Sequence, residues 1–187
     1  MQQSSNNNGG LLLADAGFGV LLVEYRGYPG STGNASEQGL YDDARSAYDF
    51  INANHSGPIG IYAHSLGTGV AINLALERDV MALVLESPYD SILSLAQSRY
   101  WFFPIKALLK HQFLSIEKIN KIKAPILMIH GTDDTLIPIA HGKRLAHAAG
   151  ENVEFRAIKG AGHNNLTAFG TPHQAIEFFA EKLRNSQ

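Results

Sequence analysis

The stretch GIYAHSLGTGVAINLA, residues 60–75, decides the fold. An apolar run, Ile59 to Ala63, ends at a lone serine among small residues, and a helical pattern opens at Leu66 and continues to about Glu77. Strand, sharp turn, helix is the repeat unit of an α/β sheet, and such sheets build their sites at the carboxyl ends of the strands. Ser65 stands at such an end.

Working outward, the same alternation recurs. LLLADAGF reads as the end of a helix stopped by Gly17, and Val20 to Tyr25 as a buried apolar strand. A turn-rich loop, RGYPGSTGNAS, leads to a helix from about Ser36 that places Leu40, Tyr41, Ala44, Ala47, Tyr48 and Ile51 on one face. Strands follow at Val80 to Glu86, Ala124 to His130 and Asn152 to Ile158, with a helix from Pro138 to Ala149 closed by Gly150. Thr171, Pro172 and Gln174 read as a capping box with proline at the first helical position, on a helix burying Ala175, Ile176, Phe179 and Leu183. The strands are continuously apolar rather than alternating. That pattern predicts a mostly parallel sheet with helices on both faces.

The chain is 187 residues long, suited to one domain with a sizeable core. MQQSSNNNGG reads as a disordered polar tail over 1–10, and 11–187 as a single domain with no linker or internal repeat. Hydrophobic residues make up 45% and charged residues 17%, ordinary for a globular protein. A formal charge of −2 argues against nucleic acid as the main partner. With no cysteine, disulfides, thiolate metal sites and a cysteine nucleophile are excluded. No apolar run approaches the roughly 20 residues that span a bilayer, and the start lacks a signal-peptide pattern. Membrane association is therefore not indicated, and a cytoplasmic location is expected.

A serine hydroxyl is a weak nucleophile at neutral pH, so it needs a base and a group to orient that base. Ala63-x-Ser65-x-Gly67 matches the G-x-S-x-G elbow with alanine in first position, where Ala63 and Gly67 avoid crowding a tight turn. That turn would expose the Ser65 hydroxyl and aim the Leu66 N–H at a developing oxyanion. The strand after Ala124 ends in IHGTDDTLIP, with carboxylates at Asp133 and Asp134, and the last strand ends in KGAGHNN, carrying His163. All three groups then lie on loops at one edge of the sheet.

With VEYRGYPGSTGNASEQGLYDDA, AHSLGTG, KAPILMIHGTDDTLIP and GAGHNN, the chain resembles the α/β-hydrolases, in the serine-hydrolase branch that includes protein depalmitoylases and small bacterial esterases. The resemblance runs from about Leu11 to the C-terminal helix. It implies Ser65 as nucleophile, His163 as base and Asp134 rather than Asp133 as acid, with no cofactor, no metal, and a small acyl ester or thioester as substrate. It also implies that the segment from Ser87 to about Lys123 is a short cap, so that Trp101 and Phe102, with Phe103, line an acyl pocket or pack plainly. Tyr28, in the turn YRGYPGS at a strand end near the proposed site, either contacts substrate or serves a structural turn.

Family members carry three strands before the one matching Val20 to Tyr25, and the third ends in an H-G-N-type loop supplying a second oxyanion N–H. Nothing before Leu11 has that character, so the fold is expected to be N-terminally truncated, with a gap between Val20–Tyr25 and Ile59–Ala63. Either the two strands close up, or a partner fills the slot, or the chain is a fragment. The competing reading is thus a weak or inactive module that retains the triad. His64 is expected to pack, and His130 to cap its strand end through the acid loop.

Overall fold

The computed structural model describes residues 7–99 and 109–185. Trp101, Phe102 and Phe103 lie outside the described residues. In chain order the elements are α1 (Asn7–Asp15), α2 (Glu37–Asn54), β1 (Gly60–His64), α3 (Leu66–Glu77), β2 (Ala82–Glu86), α4 (Ile92–Arg99), β3 (Ile126–Gly131), α5 (Ile139–Ala149), β4 (Val153–Ile158) and α6 (Thr171–Asn185). Short 3-10 turns join several of them. The strands form one parallel sheet in the order β1-β2-β3-β4.

The apolar strands explain the layering. Leu83, Leu85, Ile126 and Met128 point to one face, where Leu40, Tyr41, Val70, Ile72 and Leu145 from α2, α3 and α5 cover them. Ala82, Val84, Leu127 and Ile129 point to the other, covered by Leu13 of α1 and by Ala175, Phe178 and Phe179 of α6. Each central strand is therefore buried on both faces, as a continuous apolar run requires. α2 starts where Ser36 caps it, its hydroxyl accepting the Gly39 N–H at 3.1 Å. α1 stops at Gly17, whose φ of 91° suits glycine.

Three expectations are corrected. Residues 20–25 form no strand. Val20, Leu21, Leu22 and Val23 are exposed, and the segment does not pair with β1, which is an edge strand of the sheet. Apolar, β-branched composition favours a strand, but a ladder also needs a neighbour for its N–H and C=O groups. The stretch expected as a tail already contains the start of α1, and Gly9 and Gly10 are buried against Tyr62 and Leu22. α6 begins at Thr171 itself, so Thr171 is a helical residue rather than a cap ahead of Pro172.

Candidate active site

The turn between β1 and α3 holds Ser65 at φ 54°, ψ −123°, outside the regions an L-residue ordinarily occupies. Its N–H donates to the Glu86 carbonyl at 2.9 Å, the last rung of the β1–β2 ladder, and α3 begins at the next residue. The serine is thereby lifted off the strand end at the positive end of a helix. Its Oγ lies 2.9 Å from His163 Nε2, and His163 Nδ1 lies 2.8 Å from Asp134 Oδ2. A hydroxyl, an imidazole and a carboxylate from three loops, 98 and 29 residues apart along the chain, form one continuous hydrogen-bonded row.

Asp134 is held from several sides. Its Oδ1 accepts the N–H groups of Leu136 at 3.0 Å and Ile137 at 2.7 Å, and its Oδ2 faces His163. Burial alone would raise its carboxyl, but His130, His163 and the Ile137 amide hold it well below the ordinary carboxylate range. It is a fixed negative charge beside the imidazole. His130 binds the acid loop as its sequence position suggested: Nε2–H donates to the Ile137 carbonyl at 2.8 Å and stands 3.5 Å from Asp134 Oδ2. Asp133 is exposed and accepts from the Thr132 hydroxyl, one residue away and turned from the row.

The acid and base loops are also joined directly. Asp133 N–H donates to the Ala161 carbonyl at 2.9 Å and Thr132 N–H to the Ile158 carbonyl at 3.0 Å. Gly131 permits this approach, since a Cβ there would stand 2.2 Å from the Ala161 oxygen. Gly67, by contrast, has ordinary room: a Cβ would meet the Tyr25 hydroxyl at 3.7 Å and Ala63 Cβ at 3.8 Å. The crowded position in this turn is Gly69, where a Cβ would fall 2.2 Å from the Tyr89 hydroxyl.

No family model matches the chain. It is 39% identical over 152 residues to an uncharacterized protein of Mycobacterium tuberculosis, covering 80% of this chain and 54% of that one. It is 36% identical over 168 residues to the lysophosphatidylserine lipase ABHD12 of Rattus norvegicus, covering 79% and 42%. To the alpha/beta hydrolase domain-containing protein 17B of Xenopus laevis it is 33% identical over 172 residues, covering 89% and 58%. A solved esterase of Pyrococcus furiosus superposes with a TM-score of 0.76 at 21% identity, covering 98% of this chain and 77% of that one.

The chain belongs to the α/β-hydrolase superfamily. It spans about half the length of the curated relatives it matches.

In this α/β-hydrolase chain, sequence reasoning missed three supports of the site. His64 does more than pack: its Nε2–H donates to the His163 carbonyl at 3.0 Å and the two rings lie 4.9 Å apart. Burial lowers the His64 pKa, with its bond to that carbonyl partly opposing, so the ring is neutral when it holds the base loop. Asp90 follows β2 and is buried; its Oδ1 lies 2.7 Å from His141 Nδ1 and its Oδ2 accepts Arg144 Nε–H at 2.7 Å. Burial opposes its ionisation, but His141 and Arg144 bring its carboxyl down to about 2. This clamp ties the loop after β2 to α5, which follows the acid loop. Thr68, inside the quoted motif, is the third: its hydroxyl donates to the Ser65 carbonyl.

Tyr28 is half-exposed and packs edge-on against Tyr25, ring centres 6.3 Å apart, while Tyr25 reaches the side of the turn at Gly67. Burial, with Tyr28 and Asp43 nearby, pushes the Tyr25 hydroxyl up to about 12. A shallow cavity of about 400 Å³ lined by Pro58, Ile59, Met81 and Pro125 lies at the amino ends of the strands, opposite Ser65. Among the described residues, no group of three or more His, Asp or Glu could hold a metal ion, and no helix is long and apolar enough to cross a membrane.

Proposed function

We propose that the protein is a serine hydrolase that cleaves ester or thioester bonds through an acyl-enzyme. The observation that carries this is the row Asp134–His163–Ser65, closed at 2.8 and 2.9 Å with the serine in a strained turn. Ser65 gives its proton to His163 Nε2 as its Oγ attacks the acyl carbonyl, and His163 Nδ1–H donates to Asp134, which stabilises the imidazolium. The tetrahedral oxyanion accepts the Leu66 N–H at the amino end of α3. Collapse expels the alcohol or thiol, protonated by His163, and water then enters by the same route to release the acid.

The comparisons support this reading. Lysophosphatidylserine lipase is the name of one relative, and solved neighbours include an esterase and a monoacylglycerol lipase. A small acyl ester, or an acyl group on a larger carrier, is the substrate class we assign, with Tyr28 as a proposed substrate contact.

A second reading, a weak or inactive module, is favoured by the unpaired 20–25 segment and the open edge of β1. Only one oxyanion donor is assigned, and loss of a donor costs about 100- to 1,000-fold in rate. Hydrolysis of p-nitrophenyl butyrate by the purified chain, against Ser65→Ala prepared identically, separates the two. Turnover that disappears in Ser65→Ala is expected. Equal rates for both proteins would leave the inactive module as the correct reading.

A further inference from the structure

The Leu66 N–H belongs to the same rigid peptide unit as the Ser65 carbonyl. In a trans peptide the two bonds point in opposite directions, so whatever holds the oxygen also aims the N–H. The Ser65 oxygen is held twice by one residue. Thr68 donates its backbone N–H at 2.9 Å and its hydroxyl at 2.7 Å. Thr68 is fully buried, and its hydroxyl has this carbonyl as its acceptor.

We infer that Thr68 is a positioning residue whose hydroxyl fixes and polarises the Ser65–Leu66 peptide, so that the Leu66 N–H is presented to the oxyanion. This rests on the reading of Ser65 as nucleophile. The angle that sets this peptide plane, the ψ of Ser65 at −123°, belongs to a residue with a φ of 54°. A backbone in that region persists only where its surroundings over-determine it. The second donor on the oxygen supplies that constraint. It also strengthens the N–H on the far side, because hydrogen bonds in a chain polarise one another.

The rest of the turn is anchored independently. The Tyr89 hydroxyl donates to the Leu66 carbonyl at 3.1 Å, and Tyr89 is itself fully buried. Loss of the Thr68 hydroxyl should therefore loosen one peptide without dismantling α3. Thr68→Val keeps the shape and the backbone donor, so the Ser65 oxygen is not left without a partner.

The test compares wild type, Thr68→Val, Thr68→Ser and Ser65→Ala. With p-nitrophenyl butyrate, Thr68→Val is expected to lower kcat about tenfold at nearly constant KM, and Thr68→Ser to restore most of it. In ¹H–¹⁵N spectra the Leu66 amide proton should move upfield in Thr68→Val and return in Thr68→Ser. A Leu66 amide unmoved by Thr68→Val overturns the inference, as does an active enzyme whose kcat is indifferent to that change. Equal losses in Thr68→Val and Thr68→Ser also overturn it. Should wild type turn over no faster than Ser65→Ala, the hydrolase reading fails, and the Leu66 amide alone decides whether Thr68 sets this peptide.

Discussion

At the scale of single residues, the two neighbouring aspartates make the sharpest comparison. Asp134 is buried, accepts two backbone N–H groups and faces His163, whereas Asp133 is exposed and bonded to Thr132. Asp134→Asn keeps the shape but offers an amide where the imidazole needs a negative acceptor, which favours the wrong tautomer. The expected loss is about 10³- to 10⁴-fold in kcat, with Asp133→Asn within about threefold of wild type. Equal effects of the two changes on ester hydrolysis would remove Asp134 from its role. The sequence alone reached Asp134 only through a family spacing, since two adjacent carboxylates in a turn look alike. What distinguishes them is which one meets His163, 29 residues on, and that is a property of the folded loops. Asp90 was less legible still: its partners His141 and Arg144 are 51 and 54 residues away, and no local pattern marks it.

At the scale of elements, the parts written in local pattern were readable. β1 to β3 are mostly apolar runs that end at Ser65, Ser87 and Gly131, β4 closes just before Gly160, and the elbow between β1 and α3 is marked by the small residues Ala63 and Gly67 on either side of Ser65. The segment 20–25 was misread for a reason of the same kind. It has strand composition, but pairing is decided by what lies alongside. The glycines show where elements press hardest on one another. At Gly131 an added methyl would meet the Ala161 carbonyl, a backbone atom that cannot turn aside, and would force the acid and base loops apart. Gly131→Ala should cost roughly 3 kcal/mol, a fall of about 6–12 °C in Tm, and most of the hydrolytic rate. Gly69→Ala should cost a similar amount by displacing the buried Tyr89 hydroxyl, while Gly67→Ala should stay within about 1 kcal/mol. A thermal melt of the three variants orders them. A Gly67→Ala protein as damaged as Gly69→Ala would mean that the turn is tighter at Gly67 than its neighbours indicate.

At the scale of the whole molecule, the buried imidazole of His64 and the buried carboxylates of Asp90 and Asp134 all make stability fall as pH drops. His64 sits among Glu86, His163 and Asp134, and burial lowers its pKa, so an unfolded chain takes up that proton first, near the ordinary value of about 6.5. Stability therefore falls as pH drops through about 6.5. Asp90 and Asp134 are depressed, Asp90 to about 2 against an unfolded value of about 3.9. Their contribution is full above about pH 4 and is lost as pH falls from there toward 2, with Asp90 alone worth about 2–3 kcal/mol. The same network that orders the site thus makes the fold sensitive to acid in two stages. Melting temperatures at pH 7, 5.5, 4 and 3 should fall at each step, most steeply below 4. His64→Gln removes the upper titration, so its Tm should change less between pH 7 and 5.5 than that of wild type, whatever its starting value. A wild-type Tm that is flat from pH 7 to 3 would contradict both stages. An equal drop in His64→Gln over the upper interval would assign that stage to another group.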